Sequence, residues 1–166
     1  KLADEKVDSS HVKALFGSTA RQHIQLAVSG ERIFPEGGYD AGVLNNFQLS
    51  ESEIDFIRSR NVLASSMFRQ LEPLFIQVMS LPFDGWRVAD FLDLSDYKKD
   101  FHVVEQFIGQ LTIAFISGDH DLIESLRPLA RTTNCLIVIT LGADGSAALM
   151  KGEPTFQPSF KVKQTV

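Results

Sequence analysis

The stretch Leu136-Ile-Val-Ile-Thr140-Leu-Gly142-Ala-Asp-Gly145-Ser-Ala-Ala-Leu149 decides how this chain is read. An apolar, β-branched run is followed by a turn framed by two glycines and then by a second apolar run. The first run suits a strand buried on both faces, and the second suits its return. Glycines at the turn let backbone N–H groups converge, a geometry that suits an anion.

Working outward, strand-like and helix-like segments alternate from about residue 50 to residue 140. Ser50-Glu-Ser-Glu53 is a capping box opening a helix to about Arg60. Asn61 to Ser65 is a short strand. A helix with Pro73 in its first turn runs to about Leu81. Trp86 to Asp93 is the next strand. Phe101, Val104, Phe107 and Ile108 mark a helix, Thr112 to Ile116 a strand, and Asp119 caps a helix through Ile123, Leu126 and Leu129. Cys135 to Thr140 is the last strand of the series, and a β-hairpin with edge strands follows Gly145. This pattern predicts a parallel-rich α/β sandwich. Earlier in the chain, Ile24, Leu26 and Val28 alternate with polar positions. Ser29-Gly30 then reads as a two-residue turn into Glu31 to Phe34, so a hairpin with one apolar face is expected. The final stretch, Lys161 to Val166, reads as a further strand.

Composition removes several function classes. A net charge of −5 without a basic patch argues against a nucleic-acid surface. Lys98-Lys99 is the single adjacent basic pair and reads as a solvated helix face. No apolar stretch approaches the ~20 residues of a membrane helix. The single cysteine, Cys135, makes no internal disulfide and sits at the mouth of an apolar run, as a buried structural thiol would, so a cytoplasmic setting is expected. The four histidines lack metal-ligand spacing. Neither a nucleophile elbow nor a Walker A sequence occurs.

In an open α/β sheet, ligands bind beyond the carboxyl ends of the strands. Those ends carry Ser65-Ser66, Asp93 to Asp96, Ser117-Gly-Asp-His120 and Thr140-Leu-Gly142. Each has an ordinary turn or capping reading. Together they form a polar rim suited to a small polyol and a metal-bound phosphate. Asp93 and Asp96 have two readings, as ligands for sugar hydroxyls or Mg²⁺ and, for Asp96, as the cap of the next helix. Asp90, within its strand, is expected to meet a backbone partner or an arginine.

These residues resemble the PfkB family of carbohydrate kinases, with its ribokinase-like fold. Val7-Asp-Ser-Ser-His-Val12 is similar to the family's GVD-x-S-x-V stretch. Gly17-Ser-Thr-Ala20 with the hairpin from Gln22 to Phe34 is similar to its β lid. Thr140-Leu-Gly-Ala-Asp-Gly145 is similar to its T-x-G-x-x-G turn. Asp90-Phe-Leu-Asp-Leu-Ser95, in place of the usual Asn-Pro strand end, points to the fructoselysine-kinase-like members. The resemblance implies a three-layer α/β/α sandwich with a small β lid, incomplete here. Residues 18–45 would form the lid and its return, and residues 1–17 and 46–166 the core. It further implies transfer of the ATP γ-phosphate, with Mg²⁺, to the hydroxyl of a small-molecule sugar. Thr140, Gly142 and Gly145 would meet the nucleotide phosphates, Gln22 and Arg32 would be lid residues near the substrate, and Asp93 would lie at the sugar end.

Three parts of the family pattern are not matched within residues 1–166. These are the first strands with their sugar-binding Asp, the N-x-x-E motif (Ser117-Gly-Asp-His120 stands there), and the D-T-x-G-A-G-D motif with its Asp base. The expectation is therefore a truncated kinase with no catalytic base, inactive alone, and a homodimer through the lid or an open sheet edge. The alternative is a non-catalytic nucleotide-binding or dimerising scaffold module.

Overall fold

A computed structural model describes residues 4–5, 9–30 and 32–161, except for the side chain of Asp96. The beginning of the GVD-like stretch (Val7-Asp8) and nearly all of the stretch expected as a last strand lie outside these residues. The chain divides into two compact units, Lys1–Ile57 and Arg58–Val166.

In the first unit, β1 (Arg21–Gln22) pairs antiparallel with β4 (Tyr39–Asp40), and β2 (Gln25–Leu26) with β3 (Arg32–Ile33). The expected hairpin is therefore present, but its turn is not Ser29-Gly30. Gly30 N–H donates to Ala27 O at 2.9 Å, which centres the turn on Val28-Ser29. A two-residue turn at Ser29-Gly30 would need positive φ at Ser29 in either favoured type, I′ or II′. Only Gly30 has it, at +84°, as in a turn closed by a glycine bulge. The shift takes Val28 off the face it was expected to share with Leu26 and leaves it fully exposed at the corner.

The capping box is present as expected at the start of α1 (Glu51–Arg58). The Glu53 carboxylate accepts from Ser50 N–H at 2.7 Å and from the Ser50 hydroxyl at 2.6 Å, and it pairs with Lys13 Nζ at 2.8 Å. The Lys13 bond, then the two from Ser50, hold its pKa down to about 2.

The second unit is built on one six-stranded sheet of spatial order β10-β9-β8-β7-β6-β5. Four strands are parallel: β5 (Val62–Ser66), β6 (Trp86–Asp90), β7 (Ile113–Ser117) and β8 (Leu136–Thr140). They are joined through α2 (Glu72–Met79), α3 (His102–Ile108) and α4 (His120–Thr132). β9 (Ser146–Met150) and β10 (Glu153–Gln157) complete the sheet antiparallel, the hairpin read from the sequence. Right-handed crossovers that step steadily in one direction put all three helices on one face. The register agrees: Ala89, Ala114, Ile137 and Leu149 form one fully buried row across four strands, and Ile116, Ile139 and Ala147 form another. Phe75 of α2 meets Phe107 of α3 edge-on at 5.0 Å over this surface. The opposite face, with Val88, Ile113, Phe115, Leu136 and Val138, is half-buried.

β6 stops at Asp90, three residues before the predicted end. The Asp90 carboxylate takes Leu92 N–H at 2.9 Å, and Leu92 and Leu94 adopt left-handed backbone at φ +56° and +58°. Cys135 is buried as expected, and burial pushes its thiol up to about 12. Arg87 on β6 reaches the end of α2, donating to the carbonyls of Met79, Leu81 and Phe83 at 2.5, 2.6 and 3.3 Å, with the Phe83 ring 5.7 Å from its guanidinium. The Met79 carbonyl is one that a helix end leaves without a partner of its own, and Leu81 and Phe83 lie in the segment that follows. Replacing Arg87 with Leu is expected to lower the unfolding free energy by about 2–3 kcal/mol, read as a shifted midpoint in urea denaturation.

Candidate functional site

At the carboxyl ends of β6, β7 and β8 lies a groove of about 890 Å³. The backbone ladders run on past the strand ends and tie its rim together. Phe91 N–H donates to Phe115 O at 2.9 Å, Ser117 N–H to Leu92 O at 2.6 Å, and Gly118 N–H to Thr140 O at 3.0 Å. After β6 come Asp93, Leu94, Lys99 and Phe101. From the end of β7 come Ser117 and then Gly118 and Asp119, with Asp121, Leu122 and Ser125 from the first turns of α4. From the end of β8 come Thr140 and then Gly142 and Gly145.

Asp93, Thr140, Gly142 and Gly145, singled out from sequence, thus share one groove. Their local roles differ. The Thr140 hydroxyl donates to Ser117 Oγ at 2.9 Å, which leaves the Ser117 proton free to point at a ligand. Asp93 accepts Ser95 N–H at 3.0 Å, leaving its second oxygen for another partner. Asp119 caps α4 through Leu122 N–H at 3.1 Å, as predicted. His102 N–H of α3 is taken by Asp100 at 3.0 Å, while the Asp96 side chain, weighed as that helix's cap, lies outside the described residues.

The two turn glycines separate cleanly. Gly145 has φ +96°, and a Cβ there would lie 2.1 Å from Gln157 O and 2.6 Å from Ser159 N, so the fold itself demands glycine. Its N–H is already given to Gly142 O at 3.2 Å. Gly142 has φ +58° with open space where its Cβ would be. Among the described residues, the N–H groups of Gly142 and Ala143 have no acceptor in the protein. The open donors of the turn are therefore at its beginning. Ser159 Oγ donates to Ala143 O at 2.6 Å, and His120 Nε2 lies 3.3 Å from Asp144 Oδ2 with its ring stacked on Phe156, so the turn is braced from two sides.

Gln22 and Arg32 belong to the first unit, on β1 and β3. Gln22 donates to His23 O at 2.9 Å, and Arg32 is exposed. The residues missed from sequence are Lys99, Phe101, Asp121 and Ser125. Lys98-Lys99 is solvent-exposed, as expected, but does not lie on a helix face. Both residues precede α3 in left-handed backbone, at φ +55° and +61°, and Lys99 lines the groove. Asp121 and Ser125 were legible as an i, i+4 pair on the polar side of α4. Among the described residues, no group of three or more His, Cys, Asp or Glu converges to hold a metal ion.

No family model matches the chain. The fold is that of the ribokinase-like kinases. Adenosine kinase from Sinorhizobium meliloti superposes with a TM-score of 0.70 at 17% identity, over 89% of this chain and 49% of that one. A sugar kinase from Pyrococcus horikoshii solved in complex with ATP superposes with a TM-score of 0.59 at 18% identity, over 98% of this chain and 56% of that one. In sequence the chain is similar to fructoselysine 6-kinase of Escherichia coli, 28% identical over 150 residues, which cover 89% of this chain and 54% of the relative. The resemblance to PfkB carbohydrate kinases therefore holds in both sequence and fold, and the chain spans about half the length of the curated relatives it matches.

Exchanging each turn glycine for Ala tests the division of labour. Gly145→Ala is expected to cost about 2–4 kcal/mol of stability, and Gly142→Ala about 1 kcal/mol, both read from denaturation curves.

Proposed function

We propose that this chain forms the nucleotide-binding part of an ATP-dependent kinase that phosphorylates a carbohydrate hydroxyl. The observation that carries the reading is the groove in which Ser117, Thr140 and the open N–H group of Gly142 meet at the ends of parallel strands. Hydroxyl and N–H donors of this kind suit phosphate oxygens and the charge that develops on a transferring phosphoryl group. The similarity to fructoselysine 6-kinase supports a sugar or sugar-derivative acceptor. In this reading Thr140 and Gly142 hold the nucleotide phosphates, with Gly145 shaping the turn. Asp93 faces the acceptor, and residues 18–45 act as a lid presenting Gln22 and Arg32. ATP is the phosphoryl donor, Mg²⁺ accompanies it, and the setting is cytoplasmic.

The groove's carboxylates are partly engaged in turn and cap bonds, and the D-T-x-G-A-G-D sequence with its Asp base does not occur in residues 1–166. Residues 1–166 are therefore expected to bind ATP and not to turn it over. ATP at about 100 times its Kd should add ~2.7 kcal/mol of stability, while a coupled assay with sugar releases no ADP beyond the sugar-free control. Absence of any ATP-induced stabilisation would overturn the nucleotide reading. Sugar-dependent ADP release would overturn the inactivity.

A second reading, a dimerising module, is favoured by one observation. Ile24 and Leu26 in the first unit are 44% and 72% exposed, apolar residues of the kind that marks association; Ile33, expected on the same face, stands opposite Gln25 in the ladder and so lies on the other one. Pairing of two such hairpins would cover Ile24 and Leu26. Under this reading Leu26→Asp converts a dimeric elution profile to a monomeric one in size-exclusion chromatography. An unchanged profile would count against it.

A further inference from the structure

The groove poses an electrostatic problem for an anionic ligand. Asp93, Asp119 and Asp121 line it, and Lys99 is the one basic side chain among its lining residues. Three carboxylates repel a polyphosphate, and hydroxyl and amide donors do not cancel their charge. Among the described residues no carboxylate forms an ion pair with Lys99, so its ammonium is not committed to the protein. Its backbone is also unusual. Lys98 and Lys99 are consecutive non-glycine residues in left-handed conformation, and Lys99 N–H is held by Leu94 O at 2.9 Å. Strain of this kind persists where the surrounding structure imposes it, and it gathers at ligand clamps. Lys99 stands on the β6 side of the groove, while Thr140 and Gly142 stand on the β8 side, so a ligand reaching both would cross the mouth of β7.

We propose that Lys99 is the cation that receives the terminal phosphate of the bound nucleotide, reaching it from across the groove from the Gly142 turn. The inference rests on the groove being the nucleotide site, and it adds which side chain neutralises the end of the phosphate chain. It requires that affinity depend on Lys99 in proportion to phosphate number. A charge-assisted contact of this type is worth roughly tenfold or more in affinity.

The test is isothermal titration of ATP, ADP and adenosine into the full chain and into Lys99→Gln and Lys99→Gly. The glycine variant accepts the left-handed backbone without strain, so it remains folded if the glutamine variant does not. The expected result is an affinity for ATP about tenfold weaker in both variants, a smaller loss for ADP, and none for adenosine. Lys99→Arg should keep most of the ATP affinity. Equal ATP affinity in wild type and Lys99→Gly would overturn the role of Lys99 and leave the nucleotide site standing. An equal loss for ATP and adenosine would overturn it too, by exposing a shape effect instead of a charge effect. A wild-type chain that binds none of the three would overturn both readings.

Discussion

The parallel register between β7 and β8 is the constraint on which the rest of the structure depends. By setting Ser117 opposite Thr140 it brings two hydroxyls within a hydrogen bond of each other at the end of the sheet. The same register aligns Ala114 with Ile137 and Ile116 with Ile139, so the rows that build the core also build the rim. A slip of one residue would turn both rows to the half-buried face and withdraw Thr140 from Ser117 at once. Burial and site geometry are thus two readings of one ladder.

The helices follow from that ladder. With the four parallel strands adjacent in chain order, each crossover returns over the same face, and α4 emerges directly beyond β7 with Asp119 as its cap. The first turns of α4 therefore become a wall of the groove, and the backbone bonds from Ser117 and Gly118 to the neighbouring strand ends hold its entrance. Polar residues gather there because the core has no room for them and because the strand ends leave N–H and C=O groups that need partners.

Much of this was legible in the chain. Four parallel strands, the helices between them and the final hairpin follow from apolar runs bounded by caps and breakers, and Asp119 and Ser50-Glu53 were readable as caps from residue type and spacing alone. Two boundaries were not. The Ser29-Gly30 dipeptide has the composition of a two-residue turn, yet the closing bond falls one residue earlier because only Gly30 has left-handed backbone. Trp86 to Asp93 is continuously strand-like in composition, but the carboxylate of Asp90 captures Leu92 N–H and ends the ladder. For the site, Asp93, Thr140 and Gly142 were visible as strand-end residues. Lys99 was hidden, since its neighbours suggest a helix surface and nothing in its sequence announces left-handed backbone.

The close approach of Gly145 to Gln157 and Ser159 has a kinetic meaning. The bond from Ser159 to Ala143 closes a loop of only 16 residues. Loops this short cost little chain entropy to close, and a hairpin of this size forms within microseconds. The turn can thus take its final shape as a local event, independent of the slower parallel pairings. An incoming anion would then meet donors already frozen in place, and little of its binding energy would be lost to ordering them.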